Sequence, residues 1–145
     1  VRAAIVTRPI EPAALVLEVG NIAHGAIILF LGTVRDVNDG RPVSGLEYRA
    51  YDAMAQLELQ RIVAEASARF DTQEIVVEHR VGELALGEVS VGIAVSHAHR
   101  DPAYAASRFV IEELKRRVPV WKKEEYADGA REWVDPTRAG AEAAK

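Results

Sequence analysis

Val89-Ser90-Val91-Gly92-Ile93-Ala94-Val95-Ser96-His97 decides the fold. In an extended chain Val89, Val91, Ile93, Val95 and His97 share one face, and Ser90, Gly92, Ala94 and Ser96, continued by Ala98, share the other. One face is bulky and the other is small. Such a strand is expected to be covered on both sides, with the small face admitting a helix or a second backbone at close range. Directly after it, Asp101-Pro102 opens a helix, with Asp101 expected as the cap and Pro102 at the first position. Its apolar stripe is Ala103, Ala106, Val110, Ile111, Leu114 and Val118, and Pro119 stops it.

Upstream, Asp52 to Phe70 carries Ala55, Leu59, Ile62, Val63, Ala66 and Phe70 at helical spacing, with Asp52 as the expected cap. Thr72 to Val81 reads as a strand, followed by a turn at Gly82 or Gly87. Ala26 to Val34 is a continuous apolar run and reads as a buried strand. Asn38-Asp39-Gly40 is a turn signal, and Val43 to Tyr51 alternates, so residues 26–51 are expected to form a hairpin with a mobile loop. A short strand over Ala3 to Thr7 and a short helix opened by Pro12 precede it. Downstream, Trp121 to Tyr126 and Glu132 to Val134 flank Asp128-Gly129 as a second hairpin, before an Ala-rich polar tail. This order of elements describes one α+β domain with mostly antiparallel strands.

Composition narrows the function. The chain has 145 residues, 49% hydrophobic and 28% charged, the mix of a soluble globular domain. No apolar run approaches the ~20 residues that span a bilayer, and no basic-then-apolar leader opens the chain. A net charge of −4 disfavours general nucleic-acid binding, so any anion site must be a local cluster. There is no cysteine, which excludes disulfides, thiolate metal sites, a cysteine nucleophile and a persulfide carried on this chain, and is compatible with a cytoplasmic setting.

Three clusters carry candidate chemistry. His99-Arg100-Asp101-Pro102 lies where a strand ends and a helix begins, where free N–H groups and the helix dipole favour an anion. It reads equally as an arginine paired on the surface. Lys115, Arg116, Arg117, Lys122 and Lys123 put five cations within nine residues. Arg116 and Arg117 suit a solvated helix end; Lys115 and Lys122, beside the apolar stripe and beyond Pro119-Val120-Trp121, are candidates for a perturbed amine that moves protons. Arg35, after Gly32-Thr33-Val34, ends a buried strand before a loop and reads as a site residue or as an edge arginine paired with Asp36 or Asp39. His97 and His99 have the spacing of a metal pair but lack an evident third ligand, and a hydrogen-bonded histidine at a strand end is the stronger reading.

These clusters fall into six blocks. They are Phe30-x-Gly32-x-Val34-Arg35; Leu46-Glu47-Tyr48-x-x-Tyr51-x-x-Met54-Ala55; His79-Arg80-x-Gly82-x-Leu84-x-x-Gly87-Glu88; His99-Arg100-x-x-Ala103-Tyr104; Leu114-Lys115-x-x-x-Pro119-Val120-Trp121-Lys122-Lys123-Glu124; and Gly129-x-x-x-Trp133-Val134. In this order they resemble the large, catalytic subunit of molybdopterin synthase, the MoaE family, over residues 25–134, with 135–145 as a tail. The resemblance implies an α/β hammerhead-type domain, mostly antiparallel, with an added small β subdomain. It implies a homodimer with a small ubiquitin-like sulfur-carrier subunit on each end, a heterotetramer that uses neither metal nor cofactor. The reaction implied converts cyclic pyranopterin monophosphate to molybdopterin: a C-terminal thiocarboxylate on the small subunit donates sulfur, two sulfurs form a dithiolene, and the cyclic phosphate opens. The catalytic lysines fall on Lys115 and Lys122. The substrate contacts fall on Thr33, Val34, Arg35, His99, Arg100, Lys115, Lys122, Lys123 and Glu124, with Arg138 the nearest candidate for a further anion contact. Thr33 stands where members often carry lysine.

A cysteine-free chain agrees with sulfur arriving on a partner. Two other readings are a non-catalytic paralogue that binds the small subunit or an anionic ligand, against which both lysines argue, and a metal-free phosphohydrolase, which lacks a nucleophile here. Asp101 and Lys115 are 14 positions apart, about 21 Å of helix at 1.5 Å per residue. A pterin with a fused sugar phosphate spans on the order of 10 Å. If one substrate touches both ends, His99 and Arg100 are expected from the neighbouring subunit of a two-fold dimer.

Overall fold

The computed structural model describes residues 1–134. The tail and Arg138 lie outside the described residues. The order is β1 (Arg2–Val6), α1 (Pro12–Glu18), β2 (Ala26–Thr33), β3 (Val37–Asn38), β4 (Arg41–Ala50), α2 (Asp52–Phe70), β5 (Ile75–Arg80), β6 (Gly82–Ala85), β7 (Val89–His97), α3 (Arg100–Arg117), β8 (Val120–Tyr126) and β9 (Arg131–Val134). The main sheet runs β1-β5-β7-β2; β1 and β5 are parallel and the other pairs antiparallel. The second sheet runs β3-β4-β8-β9, with β6 on β4, and forms the small β subdomain.

The two faces of β7 carry different loads. Val91, Ile93 and Val95 join Ile75 and Val77 of β5 under α2 and α3, where Leu59, Ile62, Val63, Val110 and Leu114 complete the larger core. On the small face, Ala94 and Val76 pack with Ile10, Leu15 and Val19 around α1. A Cβ built on Gly92 would lie 2.6 Å from Leu15 Cδ1 and 3.1 Å from Ile10 Cγ2. The bare backbone at Gly92 is therefore what lets α1 lie flat on the sheet. The same face holds the buried carboxylate of Glu78, which accepts hydrogen bonds from Arg2 and Arg8, each at 2.8 Å from Oε2.

Two expectations need correction. Residues 26–51 are not one hairpin: β2 pairs with β7 in the main sheet, and β4 pairs with β8 and β6 in the other. Alternation marks a strand but does not name its neighbour. The tight hairpin is β3–β4, turned by Asp39 and Gly40, both at positive φ. Asp52 and Asp101 are not the caps. Tyr51 and His99 hold those positions without side-chain cap bonds, and each aspartate sits in the first turn, where it suits the helix dipole. The turn expected at Gly82 or Gly87 falls at Gly87, at positive φ, and the short strand β6 runs up to it from Gly82.

Gly92→Val should lower stability by about 1–3 kcal/mol, because Leu15 is buried and cannot swing aside. Urea unfolding measures this; an unchanged midpoint would mean that α1 does not rest on the small face.

Candidate active site

α3 packs on β7 and β2, and its C-terminal end brings Lys115 to the junction of the two sheets. A pocket opens there. Phe30, Ile111, Leu114 and Val118 form much of its apolar wall, and Thr33, Val34, Arg35, His79, Lys115, Lys122 and Glu124 also line it. The β2–β7 register shifts between Gly32 and Thr33, so the chain leaves the sheet through a bulge. Val34 is then fixed by backbone hydrogen bonds with Glu88 and Gly87, and this anchors Arg35 at the rim.

Lys122, Glu124 and Tyr126 alternate along β8 and share a face. Lys122 Nζ lies 3.0 Å from Glu124 Oε1. Burial alone would raise the Glu124 carboxyl, but hydrogen bonds from Tyr126, Asn38 and Lys122 outweigh it and hold it below the usual carboxylate range. Lys115 has no carboxylate partner among the described residues. It remains solvent-accessible as a residue, but the pocket wall desolvates its amine, and Lys122 and Arg35 repel its proton, so its pKa falls below the ordinary lysine value. The two lysines are thus unlike: one is an ammonium held by a carboxylate, the other an amine that gives up its proton more readily.

His79 is buried beside them. Its Nδ1–H donates to the Arg80 carbonyl at 3.0 Å, its ring meets Tyr48 edge-on, and Nε2 is left as the acceptor. Burial, reinforced by Lys115, pushes its pKa down to about 4. The sequence pattern alone assigns no site role to His79, Asn38 or Tyr126. The spacing 122/124/126 was the available signal for Tyr126.

Not every expected residue reaches this pocket. Lys123 points to the opposite face of β8, with Nζ 5.4 Å from the Trp133 ring centre. His99 and Arg100 line a separate cleft at the start of α3, with Gly25 and Ala98. There the His97 Nδ1 accepts the His99 backbone N–H at 3.0 Å. Among the described residues no group of three His, Cys, Asp or Glu side chains is placed to hold a metal. No described helix is long and apolar enough to cross a membrane.

The model of the MoaE protein family matches residues 5–117. The chain belongs to the MoaE family. It is 42% identical over 124 residues to the molybdopterin synthase catalytic subunit of Emericella nidulans, an alignment covering 86% of this chain and 64% of that protein. It is 50% identical over 129 residues to molybdopterin synthase catalytic subunit 1 of Aedes aegypti, covering 82% and 83%. The crystal structure of molybdopterin synthase from Staphylococcus aureus superposes with a TM-score of 0.84 at 36% identity, over 90% of this chain and 94% of that one.

The buried His79 gives a pH signature. It stays neutral when folded but has its ordinary value of 6.5 when unfolded, so its contribution is complete above pH 6.5 and is lost as pH falls towards about 4. Between pH 7 and 5 the wild-type protein should lose about 2 kcal/mol of unfolding free energy from this group, and His79→Gln should flatten that loss. Parallel pH curves for the two proteins would rule the assignment out.

Proposed function

We propose that this chain is the catalytic subunit of a molybdopterin synthase. It converts cyclic pyranopterin monophosphate to molybdopterin with sulfur delivered as the C-terminal thiocarboxylate of a small ubiquitin-like partner. The observation that carries this reading is the convergence of Arg35, Lys115 and Lys122 on one apolar-walled pocket in a chain of net charge −4. A planar pterin suits the apolar wall, and its phosphate suits the cations. Lys115, whose proton is held weakly, is the group that takes up and returns protons as carbon–sulfur bonds form. Lys122 and Arg35 hold anionic groups of the substrate and of the incoming thiocarboxylate. Thr33 and Val34 shape the rim. With no cysteine in the chain, sulfur need not be stored on it and can pass directly from the partner's terminus. The reaction takes place in the cytoplasm in this reading.

The active unit is a homodimer of this chain with one small subunit bound to each copy. Arg100 and Lys115 are at opposite ends of α3, about 22 Å apart at 1.5 Å per residue. The cleft holding His99 and Arg100 is separate from the lysine pocket of the same chain. A second copy that brings its His99 and Arg100 to the lysine pocket would complete an anion seat, giving two equivalent composite sites per dimer.

Lys115→Ala and Lys122→Ala should each lower product formation by about 10²–10⁴-fold; Lys115→Ala should keep the wild-type melting temperature, whereas Lys122→Ala, which strips the buried Glu124 of its counter-charge, should lower it while the chain stays folded. Mass spectrometry of the pterin product, after mixing with a thiocarboxylated small subunit, reads this; near wild-type turnover in either variant would remove that lysine from the mechanism.

The shared site has its own test. Inactive Arg100→Ala and inactive Lys115→Ala, mixed and allowed to exchange subunits, should regain part of the wild-type rate, since each heterodimer holds one intact pocket. No recovery after confirmed exchange would place each site within one chain.

A further inference from the structure

Glu124 receives more hydrogen bonds than its pairing with Lys122 requires. Asn38 Nδ2 donates to both carboxylate oxygens, at 2.9 Å to Oε1 and 2.8 Å to Oε2. The Tyr126 hydroxyl donates to Oε2 at 2.6 Å, and Lys122 Nζ lies 3.0 Å from Oε1. A carboxylate offers about four acceptor sites, so these contacts fill it. Its side chain is 2% exposed, which leaves little room for water or another donor. Glu124 therefore has no free lone pair with which to take a proton from substrate, and it acts through Lys122.

The two neutral donors come from different elements. Asn38 reaches across from β3, and Tyr126 lies two residues along β8. Tyr126 is itself held: the Arg41 guanidinium stacks 3.5 Å from its ring centre and is paired with Glu132 at 3.2 Å. The β3–β4 turn is thus tied to β8 and β9 through the groups that hold Glu124. Without Asn38 and Tyr126 the carboxylate could rotate, and the compact, flexible ammonium of Lys122 would follow it. Displacement of a substrate-positioning group by about 1 Å is enough to slow a reaction strongly.

We infer that Asn38 and Tyr126 are positioning residues, which clamp the Glu124 carboxylate so that one of its oxygens fixes the Lys122 ammonium at the pocket wall. This rests on the reading of the pocket as the sulfur-transfer site.

The test uses the full chain in complex with a thiocarboxylated small subunit, and the variants Asn38→Ala and Tyr126→Phe. Tyr126→Phe keeps the ring on which Arg41 stacks and removes only the hydroxyl. Tyr126→Phe, which loses one hydrogen bond to a charged group, should lower kcat about tenfold, and Asn38→Ala, which loses two, at least as much, each with KM within about twofold. The second readout is independent of turnover: brief labelling with acetic anhydride, quantified by peptide mass spectrometry. Displacement of the Lys122 amine from the pocket wall should raise its labelling about threefold in both variants, while Lys115, with a repelling charge moved away, should be labelled no faster than in the wild type. Wild-type kcat in both variants, unchanged Lys122 labelling, or equal changes at Lys115 and Lys122 would each overturn the proposal. A wild-type complex that makes no product, together with the expected labelling pattern, would instead refute the sulfur-transfer reading and leave the clamp standing.

Discussion

The burial of β7 on both faces is the constraint on which the rest depends. A strand covered from two sides must present two well-fitted surfaces, and here they differ in size. The larger surface seats α2 and α3; the smaller one admits α1 only because Gly92 has no side chain. The direction of α3 follows from its seat on β7 and β2, and with it the position of Lys115 at one end and Arg100 at the other. The second sheet then closes over the C-terminal end of α3 and supplies Lys122 and Glu124. The pocket is thus made of parts that fold far apart in the chain.

Electrostatics divides the labour in that pocket. Three cations facing one another would repel, and the molecule resolves this in two ways. Glu124 neutralises Lys122 inside the protein, and desolvation makes the Lys115 proton easier to lose. Arg35 remains exposed at the rim, where water screens it. An anionic ligand entering the pocket would meet a field arranged for it without a strongly basic surface elsewhere.

Much of this was legible in the sequence because periodicity is a local property. The alternation of Val89 to His97, the helical stripe from Ala103 to Val118 and the Pro119 stop all correspond to elements of the fold. Strand pairing is not local, and residues 26–51 show it: both strands were visible, but their partners, β7 and β8, lie more than a helix away. The caps failed for a related reason. An aspartate at a helix start satisfies either the cap or the dipole, and only the backbone angles of Tyr51 and His99 decide between them. Within the site, the family resemblance pointed to Arg35, Lys115, Lys122 and Glu124, which line one pocket, but strand parity sends Lys123 to the other side of β8. Asn38 read only as a turn residue, since its bond to Glu124 crosses 86 positions of sequence.

The carboxylate of Glu78 has a consequence at the start of the chain. It is buried beneath the sheet, and its counter-charges, Arg2 and Arg8, belong to the first strand and the segment just after it. An uncompensated charge inside a domain is among the costliest defects a fold can carry. The opening residues therefore act as an electrostatic plug. Shortening the chain there, or replacing those arginines when an affinity tag is grafted on, would unbalance the centre of the main sheet rather than trim a dispensable end.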